Sequence, residues 1–143
     1  MLFMDSRRLN DFTLPVPKEL HKLTNYILRE GKTKPNIFLS SGNLSLSRVI
    51  REKLDTNQPL CPLEDDVYTV SFVLLDFLSC LLTPVLPAPL LDGAVALYES
   101  SGDTDNSVLH SLLFKLPKDN AMSFVYLLSF FREMLACSDA NKL

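Results

Sequence analysis

The residue types that usually carry catalysis or bind metal are few in this chain of 143 residues. His21 and His110 are its two histidines, and neither has a histidine, cysteine or carboxylate at metal-ligand spacing on its own predicted helix. The sequence also lacks a Gly-x-Ser-x-Gly elbow, a Walker loop and a His-Glu-x-x-His helix. We therefore favour surface or rim positions for both histidines over roles as a metal ligand or general base.

One short segment, Ile37–Gly42, has a composition that could bind the phosphate group of a partner. Its end, Ser40-Ser41-Gly42, could form a turn that cradles phosphate with backbone N–H groups. No lysine and no further glycine follow the turn, however, as they do in known phosphate-binding loops. An ordinary structural turn is the favoured interpretation, and the phosphate cradle is the alternative.

Basic side chains are concentrated on either side of this segment: Lys32, Lys34, Arg48, Arg51 and Lys53. A solvated helix face is the favoured interpretation of this cluster. The alternative is a surface that faces a protein partner or a phospholipid headgroup. The chain as a whole has a net charge of −3, which argues against a nucleic-acid binder.

Apolar residues at helical spacing, punctuated by proline and glycine, predict the elements that position these residues. We predict helices over 17–31, 67–82, 90–99, 108–116 and 120–137, and one from Asn43 or Ser45 to about 54. The helix that ends near 54 has an apolar stripe of Leu46, Val49, Ile50 and Leu54, and the last helix has one of Phe124, Leu127, Leu128, Phe131 and Leu135. Asp65 and Asp66 precede the third helix, where the helix dipole favours negative charge. That helix is apolar on almost every side, which predicts the central element of the core.

The apolar run over 67–91 is about as long as a membrane is thick. Asp76 lies within it, and Pro84, Pro87 and Pro89 interrupt its second half. The continuous helix that remains is too short to span a bilayer, so we favour a buried core helix over a transmembrane segment.

Composition places the chain among single globular domains, with 47% apolar and 22% charged residues. The predicted fold class is an all-α bundle of about six helices. Cys61, Cys80 and Cys137 form no Cys-x-x-Cys motif, and we predict reduced thiols, the last two in apolar helical surroundings. From the residues alone, the function indicated is a helical domain that acts as a binding module.

Short motifs in a fixed order along the chain resemble those of the RhoGAP domain family. They are Val16-Pro17 with Leu20 and Tyr26-Ile27, Ile37–Gly42, Arg51–Asp55, Phe77-Leu78 with Pro84, Leu116-Pro117 with Asn120, and Ser138–Lys142. The resemblance implies a RhoGAP-like helical bundle over residues 16–143, with an N-terminal extension over 1–15. It also implies that the last helices of the family fold are missing after residue 143.

The departures from the family pattern concern the residues that would act on a GTPase. The family writes the Ile37–Gly42 motif as Ile-Phe-Arg-x-Ser-Gly, so Leu39 stands in place of the arginine finger. Such an arginine accelerates GTP hydrolysis by roughly 10³–10⁵. Leu75 and Ser79 stand where active members have a lysine and an arginine that contact the GTPase. The resemblance implies no catalytic residue, no metal and no cofactor, and these partner-binding candidates: Leu39, Ser41, Gly42, Arg51, Lys53, Leu75 and Ser79.

Within the family, the sequence is similar to the catalytically inactive RhoGAP-like domain of type II inositol polyphosphate 5-phosphatases, the Lowe-syndrome phosphatase group. The similarity rests on Val16–Leu20, Leu74-Leu75 and Tyr126–Leu135, whereas Ser138–Lys142 looks more like ordinary RhoGAP domains. It implies a non-catalytic, cytoplasmic interaction module that is recruited to endosomal membranes in phosphoinositide trafficking and signal transduction. The implied partners are short endocytic adaptor peptides containing Phe and His and, weakly, Rho-family GTPases.

Two alternatives remain open. The first is a GTPase-activating domain that works without a finger by orienting the GTPase's own glutamine, because positioning alone contributes to phosphoryl transfer. The second is a helical scaffold unrelated to GTPases.

Overall fold

The computed structural model describes residues 4–9, 12–81, 84–101 and 106–143. Along the chain its elements are β1 (Met4–Leu9), β2 (Phe12–Pro17), α1 (Lys18–Glu30), α2 (Leu44–Asp55), α3 (Val67–Ser79), α4 (Ala88–Ser101), α5 (Asn106–Lys115), α6 (Lys118–Leu135) and α7 (Ser138–Asn141). The predicted all-α bundle is confirmed, and the short α7 is added to the six helices that we predicted.

The N-terminal residues of the chain form an antiparallel β-hairpin from β1 and β2. Met4 lies opposite Pro17 and Leu9 lies opposite Phe12 in the register of β1 and β2. No strand was expected here from the sequence. Pro15 and Pro17 argue against a central strand, but proline is tolerated where a strand has a free edge, as both strands of a two-stranded hairpin do.

Side-chain caps fix where the second and third helices begin. The Asn43 carboxamide oxygen accepts hydrogen bonds from the N–H groups of Ser45 and Leu46, at 2.9 and 3.1 Å. The Asp66 carboxylate accepts one from the N–H of Thr69 at 2.9 Å. These contacts satisfy N–H groups that have no partner within the helix. Of the two predicted caps for α2, Asn43 is therefore the one that is used.

The third helix ends earlier than predicted. We expected it to run to residue 82, but α3 ends at Ser79, and the Cys80 N–H donates to the Asp76 carbonyl oxygen at 3.0 Å. Residues 82 and 83 lie outside the described residues. Cys80 is exposed at this helix end, so the apolar surroundings that we predicted for it are wrong.

Most of the core is formed where α3 packs between α1 and α2, with α6 against α1 and β2. Its buried apolar side chains on the first three helices are Leu20, Leu23, Tyr26, Ile27, Ile50, Leu54, Val67, Val70, Val73 and Leu74. The predicted central role of the third helix is confirmed. Leu75, however, faces outward from α3, so the helix is not buried on every side.

The buried face of α6 differs from the predicted one. We expected a stripe of Phe124, Leu127, Leu128, Phe131 and Leu135. The residues that are buried are Ser123, Tyr126, Leu127, Phe130 and Met134. Leu128 and Leu135 are instead 44% and 54% exposed. The face is set by tertiary contacts, since the Tyr126 hydroxyl is hydrogen-bonded to the buried Thr24 hydroxyl at 2.8 Å.

Candidate functional site

The Ile37–Gly42 segment, hereafter the 37–42 loop, is anchored at its start by two apolar side chains. Ile37 is completely buried. The Phe38 ring packs against Phe130 and Phe131, with ring centroids 6.3 and 5.8 Å apart. The next side chain, Leu39, is 80% exposed. The loop therefore holds Leu39 outward on an anchored backbone.

Gly42 closes the loop against α3, and only glycine fits there. Its φ is +63°, a left-handed conformation that side chains disfavour. A Cβ at this position would lie 3.0 Å from the Phe72 Cβ and 3.1 Å from the Thr69 Cα. The following residue, Asn43, donates its N–H to the Thr69 hydroxyl at 3.1 Å. The end of the loop is thus fixed to the outer face of α3.

Asn141 on α7 holds the turn that leads into the loop. Its buried side-chain amide donates to the carbonyl oxygens of Lys32 and Met134, at 3.0 and 2.7 Å. Its own carbonyl oxygen accepts the Asn36 N–H at 2.8 Å. In the sequence, Asn141 stands out only as part of a family motif. Its contacts join segments more than 100 residues apart, and no local pattern could indicate them.

Two further predicted site residues continue the face of α3 that meets the loop. Leu75 and Ser79 lie about one and two turns beyond Phe72, which places all three on one side of the helix. Leu75 and Ser79 are both exposed. The Ser79 hydroxyl donates to the Asp76 carbonyl oxygen at 2.8 Å. The 37–42 loop and this row, Phe72, Leu75 and Ser79, form one continuous surface that we call the loop face.

The basic residues around the loop are not a single free patch. The Lys32 ammonium pairs with Glu133 at 3.1 Å, and the Arg51 guanidinium pairs with Asp76 at 2.8 Å. Lys53 is turned inward, with its side chain 14% exposed. Lys34 and Arg48 are exposed. The cluster is therefore divided between contacts within the fold and solvated positions.

The pattern of the RhoGAP domain family matches residues 17–143, almost the whole chain. This chain belongs to the RhoGAP family. It is 26% identical over 132 residues to human Rho GTPase-activating protein 25, and this alignment covers 90% of this chain and 20% of that protein. It is 24% identical over 113 residues to mouse Rho GTPase-activating protein 20, and this alignment covers 78% of this chain and 10% of that protein. The matched part of this chain thus corresponds to a tenth to a fifth of the length of these relatives.

Solved structures of RhoGAP relatives have the same fold. Human Rho GTPase activating protein 15 superposes with a TM-score of 0.75 at 22% identity, over 90% of this chain and 63% of that one. The BH domain from Graf, the GTPase regulator associated with focal adhesion kinase, superposes with a TM-score of 0.73 at 16% identity. That match covers 86% of this chain and 68% of the Graf chain. The family resemblance drawn from the ordered motifs is confirmed.

Lys53 of this RhoGAP domain belongs to a buried polar network. Its ammonium donates to both carboxylate oxygens of Asp65 at 2.9 Å and to Glu64 at 3.0 Å. Asp65 is buried and also accepts the Cys61 N–H at 2.7 Å. The hydrogen bond to Asp65, followed by that to Glu64, raises the pKa of Lys53. Among the partner-binding candidates, Lys53 is therefore engaged inside the fold.

Tyr26 completes this network and makes it sensitive to alkali. Its hydroxyl donates to the backbone carbonyl oxygen of Asp65. Burial, and then the charge of Asp65, raises the pKa of Tyr26 from 10.0 to about 12. Both effects disfavour the phenolate, so the folded domain holds this proton more tightly than the unfolded chain.

We expect this proton to make the domain lose stability at high pH. The contribution of Tyr26 is fully present below pH 10 and falls by about 3 kcal/mol as pH rises towards 12. Urea unfolding at a series of pH values measures this loss. Tyr26→Phe should remove the part of this slope that comes from the Tyr26 hydroxyl. An unchanged slope in Tyr26→Phe would contradict this assignment.

The described part of this RhoGAP domain holds no group of three His, Cys, Asp or Glu side chains placed to bind a metal ion. Across the same residues, no helix combines the length and apolar character needed to cross a membrane. His110 is exposed on α5, and the ring of His21 lies 6.2 Å from that of Tyr126.

Proposed function

We propose that this RhoGAP domain is a non-catalytic interaction module whose loop face no longer supplies an arginine finger. The observation that carries the proposal is that Leu39 is 80% exposed on the 37–42 loop. The family motif would have its finger arginine at this residue. A finger arginine neutralises charge on the phosphoryl group during transfer. Leucine has neither charge nor a hydrogen-bond donor, so it contributes nothing to that step.

The neighbouring basic residue on α2 does not replace the missing finger. The Arg51 guanidinium lies 2.8 Å from the Asp76 carboxylate, and this ion pair links α2 to α3. Reaching a GTPase would require it to leave this partner. Arg51 thus serves the packing of the domain in this proposal.

Docking of a GTPase is weakened by the same loss of charge. Leu75 and Ser79 are exposed on the loop face, where active family members carry a lysine and an arginine. We therefore propose weak binding to Rho-family GTPases. The main partners in this proposal are short endocytic adaptor peptides containing Phe and His, bound at endosomal membranes in a phosphoinositide trafficking context. The similarity of Tyr126–Leu135 to the inactive domain of type II inositol polyphosphate 5-phosphatases supports this assignment.

The preserved geometry of the 37–42 loop favours one alternative function. Ile37, Phe38 and Gly42 still anchor the loop, and Asn141 still holds the turn before it. A loop of fixed shape could activate a Rho-family GTPase by orienting the GTPase's own glutamine, without a finger.

Isothermal titration calorimetry with two ligand classes tests the proposal. One is a Phe/His-containing endocytic peptide, and the other is a Rho-family GTPase loaded with a non-hydrolysable GTP analogue. We expect tighter binding of the peptide. The double variant Leu75→Lys/Ser79→Arg should strengthen GTPase binding, because it restores positive charge to the loop face.

A matched control places the charge elsewhere. Leu63 is 95% exposed in the segment before α3 and is not one of the residues of the loop face, so Leu63→Lys should leave GTPase affinity unchanged. Micromolar or better affinity of the wild-type domain for the GTPase, with no measurable peptide binding, would contradict the proposal.

A further inference from the structure

A cavity of about 380 Å³ opens between α1, α2 and α3, on a side of α3 other than the loop face. Its volume lies within the range of about 300–1,000 Å³ that ligand pockets occupy. The apolar part of its wall is formed by Leu54, Val73 and Phe77. Val73 and Phe77 lie about one turn apart on α3, turned away from Leu75. None of the residues that line the cavity belongs to the loop face.

The cavity wall contains a buried hydrogen-bond acceptor without a partner. Glu19, in the first turn of α1, lines the cavity, and its Oε2 atom is buried with no hydrogen bond to any described residue. An ionised carboxylate can only accept hydrogen bonds, and buried polar atoms are nearly always paired. A hydrogen-bond donor from outside the described residues would satisfy this carboxylate.

The charges around the cavity favour a cation as that donor. Glu19, Asp55 and Asp76 contribute three carboxylates, and Arg51 is the single basic residue of the wall. Arg51 is already paired with Asp76 at 2.8 Å. Two carboxylates, those of Glu19 and Asp55, are left without an opposite charge among the residues that line the cavity.

We propose that this cavity receives an arginine side chain from a partner protein. The guanidinium donates to Glu19 and faces Asp55, and its several N–H groups suit a wall of carboxylates. Its methylene stem packs on Leu54 and Val73, and its planar group lies on the ring of Phe77. A lysine fits less well, because its ammonium lacks the planar surface that stacks on an aromatic ring. This inference does not depend on the role of Leu39.

The test uses N-acetyl-arginine amide as the probe, with the neutral N-acetyl-citrulline amide and N-acetyl-lysine amide as its controls. Each is titrated into the full chain and followed by ¹⁵N NMR. For the arginine probe, we expect saturable chemical-shift changes centred on residues of the cavity wall. The citrulline analogue should bind at least about tenfold more weakly. Glu19→Gln should weaken arginine binding by a similar factor, whereas Glu52→Gln, exposed on α2, should not.

Cys80 provides a second readout on the unmodified protein. Its thiol lines the cavity and is exposed, so saturating arginine probe should slow its alkylation, while the alkylation rate of Cys61 stays the same. The proposal is overturned if no saturable shift occurs, if citrulline or lysine probes bind as tightly as arginine, or if Cys80 is not protected. These comparisons on the wild-type protein remain decisive even if Glu19→Gln fails to fold.

Discussion

Replacing Lys53 by alanine should lower the free energy of unfolding by about 3–5 kcal/mol. The substitution leaves the buried Asp65 carboxylate with the Cys61 N–H at 2.7 Å but without its cation. A buried charge that loses its partner is far more costly than a broken surface ion pair. A typical domain has only about 5–15 kcal/mol of net stability, so this variant should unfold at much lower urea concentration.

Lys34→Ala is the matched control, because Lys34 is exposed in the turn before the 37–42 loop. We expect it to change stability by no more than about 0.5 kcal/mol. The double variant Lys53→Met/Asp65→Leu should recover part of the lost stability, since it removes both buried charges together. A loss below about 1 kcal/mol for Lys53→Ala would mean that the pair behaves like a surface ion pair.

The second large effect should come from restoring the missing charges together. Leu39→Arg alone should leave GTP hydrolysis close to the wild-type level, because Leu75 and Ser79 still provide no charge for docking. The triple variant Leu39→Arg/Leu75→Lys/Ser79→Arg should raise the rate towards the roughly 10³–10⁵-fold that an arginine finger supplies. Single-turnover hydrolysis of GTP by a Rho-family GTPase measures the difference.

The control for this variant keeps the positive charge at residue 39 and changes only the geometry of the cationic group. A triple variant with Leu39→Lys carries the same net charge but lacks the planar fork of arginine, and it should stimulate less. If Leu39→Arg alone matched the triple variant, the docking positions would not be limiting.

Short-range contacts were enough to predict where α2 and α3 begin. Asn43 and Asp66 cap α2 and α3 through bonds to N–H groups two or three residues away, and such short-range contacts can be predicted from the sequence. The assignment of Leu39 to the finger position follows from a linear motif and stays a prediction.

Contacts between distant segments could not be predicted in this way. Val49 was assigned to the buried stripe of α2, yet it is exposed while Ser47 is buried, because the neighbouring α3 determines which arc is covered. Asp65 was interpreted through the helix dipole, whereas its main partner is Lys53 on α2. The unpaired oxygen of Glu19 likewise results from the packing of three helices.

The central claim is that the loop face of this RhoGAP domain lacks catalytic power. Its most direct test is single-turnover GTP hydrolysis by a Rho-family GTPase, with the wild-type domain at a concentration where binding is saturated. We predict that the intrinsic hydrolysis rate stays essentially unchanged, because Leu39 cannot neutralise charge on the phosphoryl group. A stimulation of about a hundredfold or more, which approaches the effect of an arginine finger, would contradict this account.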